Sequence, residues 1–159
     1  MESSDRGISF FNLSDAPNLI GSGVISEMTV SGELSMEDVL AAGEGGADSV
    51  VLFRGEGQSG FSLVLLRIEP GCKLPRHSHN ADCLYYVVSG EAIMGRRIIR
   101  AGSGFLVKAG QPYAYAAGPE GVEVLEFRQA TSVTMNITES QVGWVEVLAR
   151  IQQRQELLG

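Results

Sequence analysis

The chain has 159 residues, 44% apolar and 19% charged, which suits one domain with a buried core and excludes a disordered polypeptide. Twelve basic against nineteen acidic side chains leave a net charge of −7, which excludes the basic face that a nucleic-acid partner requires. No window has the apolar length of a membrane span, and two cysteines are too few for a disulfide framework.

The opening Met1-Glu2-Ser3-Ser4-Asp5-Arg6-Gly7 lacks the basic region and apolar run of a signal peptide, so the expected location is the cytoplasm. Residues 1–7 read as a loose terminus, 8–13 as a short strand and Asp15-Ala16-Pro17-Asn18 as a turn. Alternation of apolar and polar residues predicts a half-buried strand over 24–30. Ser35 is placed to cap a short helix beginning Met36-Glu37-Asp38, with Asp38 in the capping-box position. That helix is expected to end by Ala42 or Gly43, with Gly43-Glu44-Gly45-Gly46 a loop beyond it. From residue 49 strands follow one another: 49–54, a glycine-rich turn at 55–60, then 61–68, 84–88, 91–94, 97–100, 105–108, 113–116 and 122–128. Twenty glycines with short runs between them favour a sandwich or barrel. Over 141–158 the pattern changes to helical spacing, with Val142, Val145, Leu148, Ile151 and Leu158 as an apolar stripe. Trp144 beside that stripe is either an anchor for a partner subunit or packed against its own barrel.

The stretch 71–90 concentrates the chemistry. It contains both histidines, His77 and His79, and both cysteines, Cys72 and Cys83. Side chains two apart on an extended segment project to one side, so His77 and His79 share a face, a recurring way to hold a transition metal. Cys83 has the same parity, unless an intervening turn resets it. The pattern resembles the first motif of the cupin family, which reads Gly, five residues, His-x-His, three or four residues, Glu, six residues, Gly. Gly71, His77, His79 and Gly90 occupy its positions, and Cys83 stands in the place of the glutamate. A degenerate second motif lies at Gly102, Lys108, Gly110 and Tyr113, with Lys108 replacing a proline and Tyr113 a third histidine. The resemblance spans roughly residues 48–128.

The resemblance implies an all-β fold: a single cupin (double-stranded β-helix) barrel over 48–130, an N-terminal extension over 1–47 and a C-terminal segment with a helix over 131–159. It further implies a divalent transition metal (Fe, Zn, Ni or Mn) on His77 and His79 with Cys83 as a further ligand. It also implies a homodimer, in which the N-terminal segment is a candidate for exchange onto a neighbour's sheet. Cys83 has three alternatives: a soft thiolate ligand, a residue cross-linked to a tyrosine, or a small buried hydrophobe. Tyr113 either donates a hydrogen bond to a substrate or metal-bound water, or fills the barrel mouth; a neutral phenol, with a free pKa of about 10, is a poor ligand.

Arg67 lies on the run 61–68, where several carbon–carbon bond-cleaving cupins carry arginine. Facing inward it would clamp a carboxylate or enolate; facing outward it would pair with Glu69 or Glu126. Glu126 shares parity with Val122 and Val124 and is a candidate substitute ligand, while Lys108 is expected in solvent. The expected function is a metal-dependent cupin enzyme acting on a small oxygenated organic compound. Dioxygenase, isomerase, decarboxylase and lyase chemistry are all implied, with a lean to oxidative cleavage. The alternative is a non-catalytic small-molecule-binding or sensing barrel whose metal site has decayed. Neither involves nucleic acid or membrane.

Overall fold

The computed structural model describes residues 2, 3, 7–32, 34–57 and 60–159. Parts of the expected loose terminus at 1–7 and of the glycine-rich turn at 55–60 therefore lie outside the described residues. The elements in chain order are β1 (Glu2–Ser3), β2 (Ser9–Phe10), β3 (Ile25–Val30), α1 (Met36–Gly46), β4 (Ala47–Arg54), β5 (Ser62–Ile68) and β6 (His77–His79). They continue with β7 (Cys83–Met94), β8 (Arg97–Arg100), β9 (Gly104–Val107), β10 (Ala116–Arg128), β11 (Val133–Ile137) and α2 (Gln141–Leu158). A six-stranded sheet has the order β4-β5-β10-β7-β8, with β9 also on β7, and faces a three-stranded sheet of order β3-β11-β6. Every ladder of the larger sheet is antiparallel. In the smaller one β3 runs parallel to β11 and β6 antiparallel to it. The N-terminal strand β3 is thus tied to β11, near the other end of the chain.

Period-two alternation explains which side chains enter the barrel. Leu66 and Ile68 of β5, Tyr85 and Val87 of β7, and Val122 and Val124 of β10 are all buried and share one core, while Val64 is buried in a second cluster with Val24 and Val51. Each such side chain stabilises the fold by roughly 1.5–3 kcal/mol. Two expected turns are absorbed into longer strands. β7 passes through Ser89-Gly90 and β10 through Gly118-Pro119-Glu120-Gly121, and the β7–β10 ladder shifts register between Ala117 and Val122 and between Glu123 and Val124. Gly90 has φ +72°, and a Cβ there would collide with the Gly121 carbonyl, so only glycine lets the two strands cross at this distance.

The helix after Ser35 also outlasts its expected end. The Ser35 hydroxyl accepts from the Asp38 N–H, as a cap should, but α1 continues through Gly43-Glu44-Gly45-Gly46. The last two glycines lie against Ile151 of α2, whose methyls leave little room for a Cβ at either position. A pair that reads as a helix terminator in isolation is here a helix–helix contact surface. In α2 the buried residues are Trp144, Val147 and Ile151, whereas Val142, Val145 and Leu148 of the expected stripe are exposed. The large Trp144 ring sets the buried face, packing into its own core. Among the described residues no helix is long and apolar enough to cross a membrane.

Candidate functional site

β6 carries the His-x-His pair, and its neighbours fix both rings. His77 pairs with Ile137 and His79 with Met135 of β11, while the backbone of His77 exchanges hydrogen bonds of 3.0 and 2.9 Å with Tyr113. The shared parity read from the sequence holds: the rings lie 5.0 Å apart, near perpendicular, and both are buried. The Nδ1 of His77 donates to the Pro75 carbonyl at 2.8 Å, and the Nδ1 of His79 to the Thr134 carbonyl at 2.9 Å. Carbonyls only accept, so each Nδ1 holds the proton and each Nε2 presents a lone pair.

The direction of the next bonds follows. Tyr113 O–H donates to His77 Nε2 at 3.1 Å, leaving its oxygen to accept from the hydroxyl of Tyr85, to which it is bonded. Cys83, two residues before Tyr85 on β7, is hydrogen-bonded to that same tyrosine. The result is an ordered chain from β7 through Tyr113 to His77. His79 differs: among the described residues its Nε2 has no hydrogen-bond partner.

From β10, Glu126 stands opposite Tyr85 and Arg128 opposite Cys83. Both point inward, 6% and 1% exposed, joined by a 2.7 Å bond from Arg128 Nη2 to Glu126 Oε2. Among the described residues Arg128 Nε and Nη1 have no hydrogen-bond partner. A cavity of about 420 Å³ opens onto His77, His79, Glu126 and Arg128, its remaining wall largely apolar and including Ile25, Met28, Leu66 and Ile137.

Burial dominates the electrostatics. It lowers His77 to about 4, against the pull of the Pro75 carbonyl; His79 falls to about 3 through burial and then the nearby Arg128 charge. Both imidazoles are neutral at pH 7. Burial pushes the Cys83 thiol up to about 12 and raises Tyr85, Tyr113 and Tyr115, so all four keep their protons. For Arg128 burial is the largest single influence and works against the charge, but Glu126, Cys83, Tyr85 and Tyr113 together outweigh it and hold the guanidinium protonated.

The sequence-predicted residues divide accordingly. His77, His79 and Tyr113 come together as expected, and Glu126 does enter the barrel. Cys83 is buried, but it faces Tyr85 and does not line the cavity. Among the described residues no three His, Cys, Asp or Glu side chains converge to hold a metal, so the set of His77, His79 and Cys83 is not assembled. Arg67 lies on the outer face, its side chain 41% exposed, 3.7 Å from Asp48 and 3.4 Å from Glu123. The burial of Val64, Leu66 and Ile68 sends the odd-numbered position outward, so Arg67 cannot reach the cavity. Lys108 pairs with Asp82 at 2.8 Å in solvent, as expected. Sequence reasoning missed Arg128, although it continues the parity of Val122, Val124 and Glu126.

Two sheets around an inward His-x-His strand, with a C-terminal helix packed outside, define a cupin barrel, and this chain has that fold. Among solved structures it is similar to the polyketide cyclase RemF from Streptomyces resistomycificus, at 15% identity over 90% of this chain and 98% of that one, with a TM-score of 0.57. It is also similar to salicylate 1,2-dioxygenase from Pseudoaminobacter salicylatoxidans, at 15% identity, 65% and 34% coverage and a TM-score of 0.50. A third match is Bacillus subtilis oxalate decarboxylase, at 21% identity, 55% and 26% coverage and a TM-score of 0.48. The chain thus spans about a third of the dioxygenase and a quarter of the decarboxylase, and at these identities the likeness is one of fold. No protein-family model and no curated protein sequence matches it.

Proposed function

We propose that the cavity is the active site of a cupin enzyme of isomerase or lyase type, acting on a small, largely apolar carbonyl compound with His79 as proton acceptor. The observation that carries this reading is the Nε2 of His79: its tautomer is fixed by the Thr134 carbonyl, and its lone pair is unengaged in the wall of the cavity. His77 is spoken for by Tyr113, so the two imidazoles have different tasks. His79 enters turnover unprotonated because burial and Arg128 keep it so. A carbon-bound proton next to the carbonyl moves to Nε2, and its electron pair moves through the carbon–carbon bond to oxygen, giving an enolate. The new imidazolium and enolate charges offset one another, and the Arg128 guanidinium stands in the same wall. Where a β,γ-double bond is conjugated with the enolate, return of the proton to the γ-carbon completes an isomerisation; where a β-substituent is present, the enolate's electron pair expels it with formation of the α,β-double bond and completes an elimination. The apolar wall excludes water from the exchange.

The residues present do not complete the metal centre that the cupin resemblance implies. Two neutral imidazoles are available, but the Cys83 thiol is turned to Tyr85 and Glu126 is committed to Arg128. The test is exchange of α-protons with deuterated water, followed by mass spectrometry, for small ketones, aldehydes and esters that the protein binds. Exchange above the buffer rate that disappears in His79→Gln supports the reading. Binding without exchange makes the barrel a binding module. Metal content measured on the same preparations supplies the other arm: near-stoichiometric metal that is lost in His77→Ala replaces this reading with a metal-centred one.

A further inference from the structure

The buried Glu126–Arg128 pair is half-finished. One guanidinium nitrogen reaches the carboxylate, while Nε and Nη1, on a side chain 1% exposed, have no acceptor among the described residues. Leaving charged N–H groups unpaired in an apolar interior is costly, and Arg128 is one of the residues that line the cavity with His77 and His79. Something in that cavity is positioned to accept from them.

Charge decides what. The positive guanidinium already has its counter-ion in Glu126, and the other groups close to Arg128, the Cys83 thiol and the hydroxyls of Tyr85 and Tyr113, keep their protons. Lys73, the other cation among the cavity's lining residues, is paired with Glu146, so a carboxylate brought to Arg128 would set a second negative charge beside Glu126 against a single guanidinium, which is unfavourable away from water. A neutral oxygen acceptor satisfies the N–H groups without that penalty.

We infer that Arg128 is the substrate-binding residue of this cavity, that it takes a neutral ketone, aldehyde or ester through the carbonyl oxygen, and that Glu126 makes the site reject carboxylates of the same shape. This rests on the cavity being the ligand site proposed above and names the substrate class it takes. It also assigns Glu126 a selectivity role that a merely structural ion pair would not have.

Phenylacetone and phenylacetate share a skeleton and differ in the group presented, so their dissociation constants, measured by calorimetry at pH 7.5 on the full chain, test the inference. In the unmodified protein the ketone binds at least tenfold more tightly than the acid. Glu126→Gln removes the negative charge and keeps the shape, so the preference reverses and the acid becomes the tighter ligand by about tenfold. The paired change Glu126→Leu with Arg128→Met replaces both groups by apolar ones and abolishes discrimination in either direction. Equal or tighter binding of phenylacetate by the unmodified protein overturns the inference while leaving the cavity reading intact. A preference for the ketone that survives unchanged in Glu126→Gln overturns the role given to the ion pair. Failure of both probes to bind removes the cavity reading and the inference with it.

Discussion

Acidification between pH 7 and pH 5 probes the burial of the two imidazoles directly, because these are the only histidines in the chain. Each titrates near 6.5 when unfolded, but in the fold His77 is lowered to about 4 and His79 to about 3. Below pH 6.5 the unfolded chain therefore binds protons that the folded chain refuses, and stability falls as pH falls, down to the folded values. At about 1.4 kcal/mol per pH unit below 6.5, pH 5 costs roughly 2 kcal/mol per histidine and about 4 kcal/mol in total. For a chain of this length that lowers the melting temperature by roughly 8–16 °C. The carboxyls of Asp82 and Glu146 are held low by Lys108 and Arg150 and titrate below this window. Urea unfolding at pH 7, 6 and 5 reads the slope, with His77→Gln plus His79→Gln as a control expected to be nearly flat over the same range. A flat profile for the unmodified protein would refute the reasoning, because it would mean that both rings reach water in the folded state.

Glu126→Leu leaves the Arg128 charge buried without its partner and is expected to cost about 3–5 kcal/mol in chemical denaturation. Adding Arg128→Met should recover most of that loss, and a double-mutant cycle with no recovery would show that the pair is not desolvated. Gly90→Ala adds a side chain at positive φ directly against the Gly121 carbonyl and is expected to destabilise by about 3 kcal/mol. Gly102→Ala has a similar φ but open space around it and should lose only about 1–2 kcal/mol, so the order of the two melting temperatures checks the crossing of β7 and β10.

The parts of the site that follow from parity were legible. His77 and His79 alternate with Ser78 on an extended segment, and nothing in the fold disturbs that. Glu126 likewise continues the inward positions Val122 and Val124. One more step of the same count reaches Arg128, but a charged residue at the end of an apolar alternation usually marks the edge of a strand, and nothing local says that Glu126 will be there to neutralise it. Arg67 shows the opposite error: its parity, opposite to that of Val64, Leu66 and Ile68, sends it outward, and the analogy with arginines in other cupins pointed the other way. The absence of a third ligand was half legible, since Cys83 and Tyr113 occupy the ligand places. That the Cys83 thiol turns to Tyr85 is a tertiary fact that no spacing encodes. The same holds for Gly45 and Gly46, whose purpose lies in Ile151, more than a hundred positions away.

The histidine strand has a consequence for how long the site persists. β6 is three residues long, and its ladder is with β11, which in turn zips in parallel against β3. Residues such as Thr29 and Asn136, bonded across that parallel ladder, are 107 positions apart. Closing so long a loop carries the largest entropy penalty of any strand pairing among the described residues, and it does so for the three-stranded sheet. Fluctuations that release β3 and β11 while the six-stranded sheet stays intact would remove the Thr134 carbonyl from His79 and open the wall beside it. The lifetime of the assembled cavity is then set by the weaker sheet and by the chain ends that complete it, and a protein can be fully folded by most measures while its histidines are out of place.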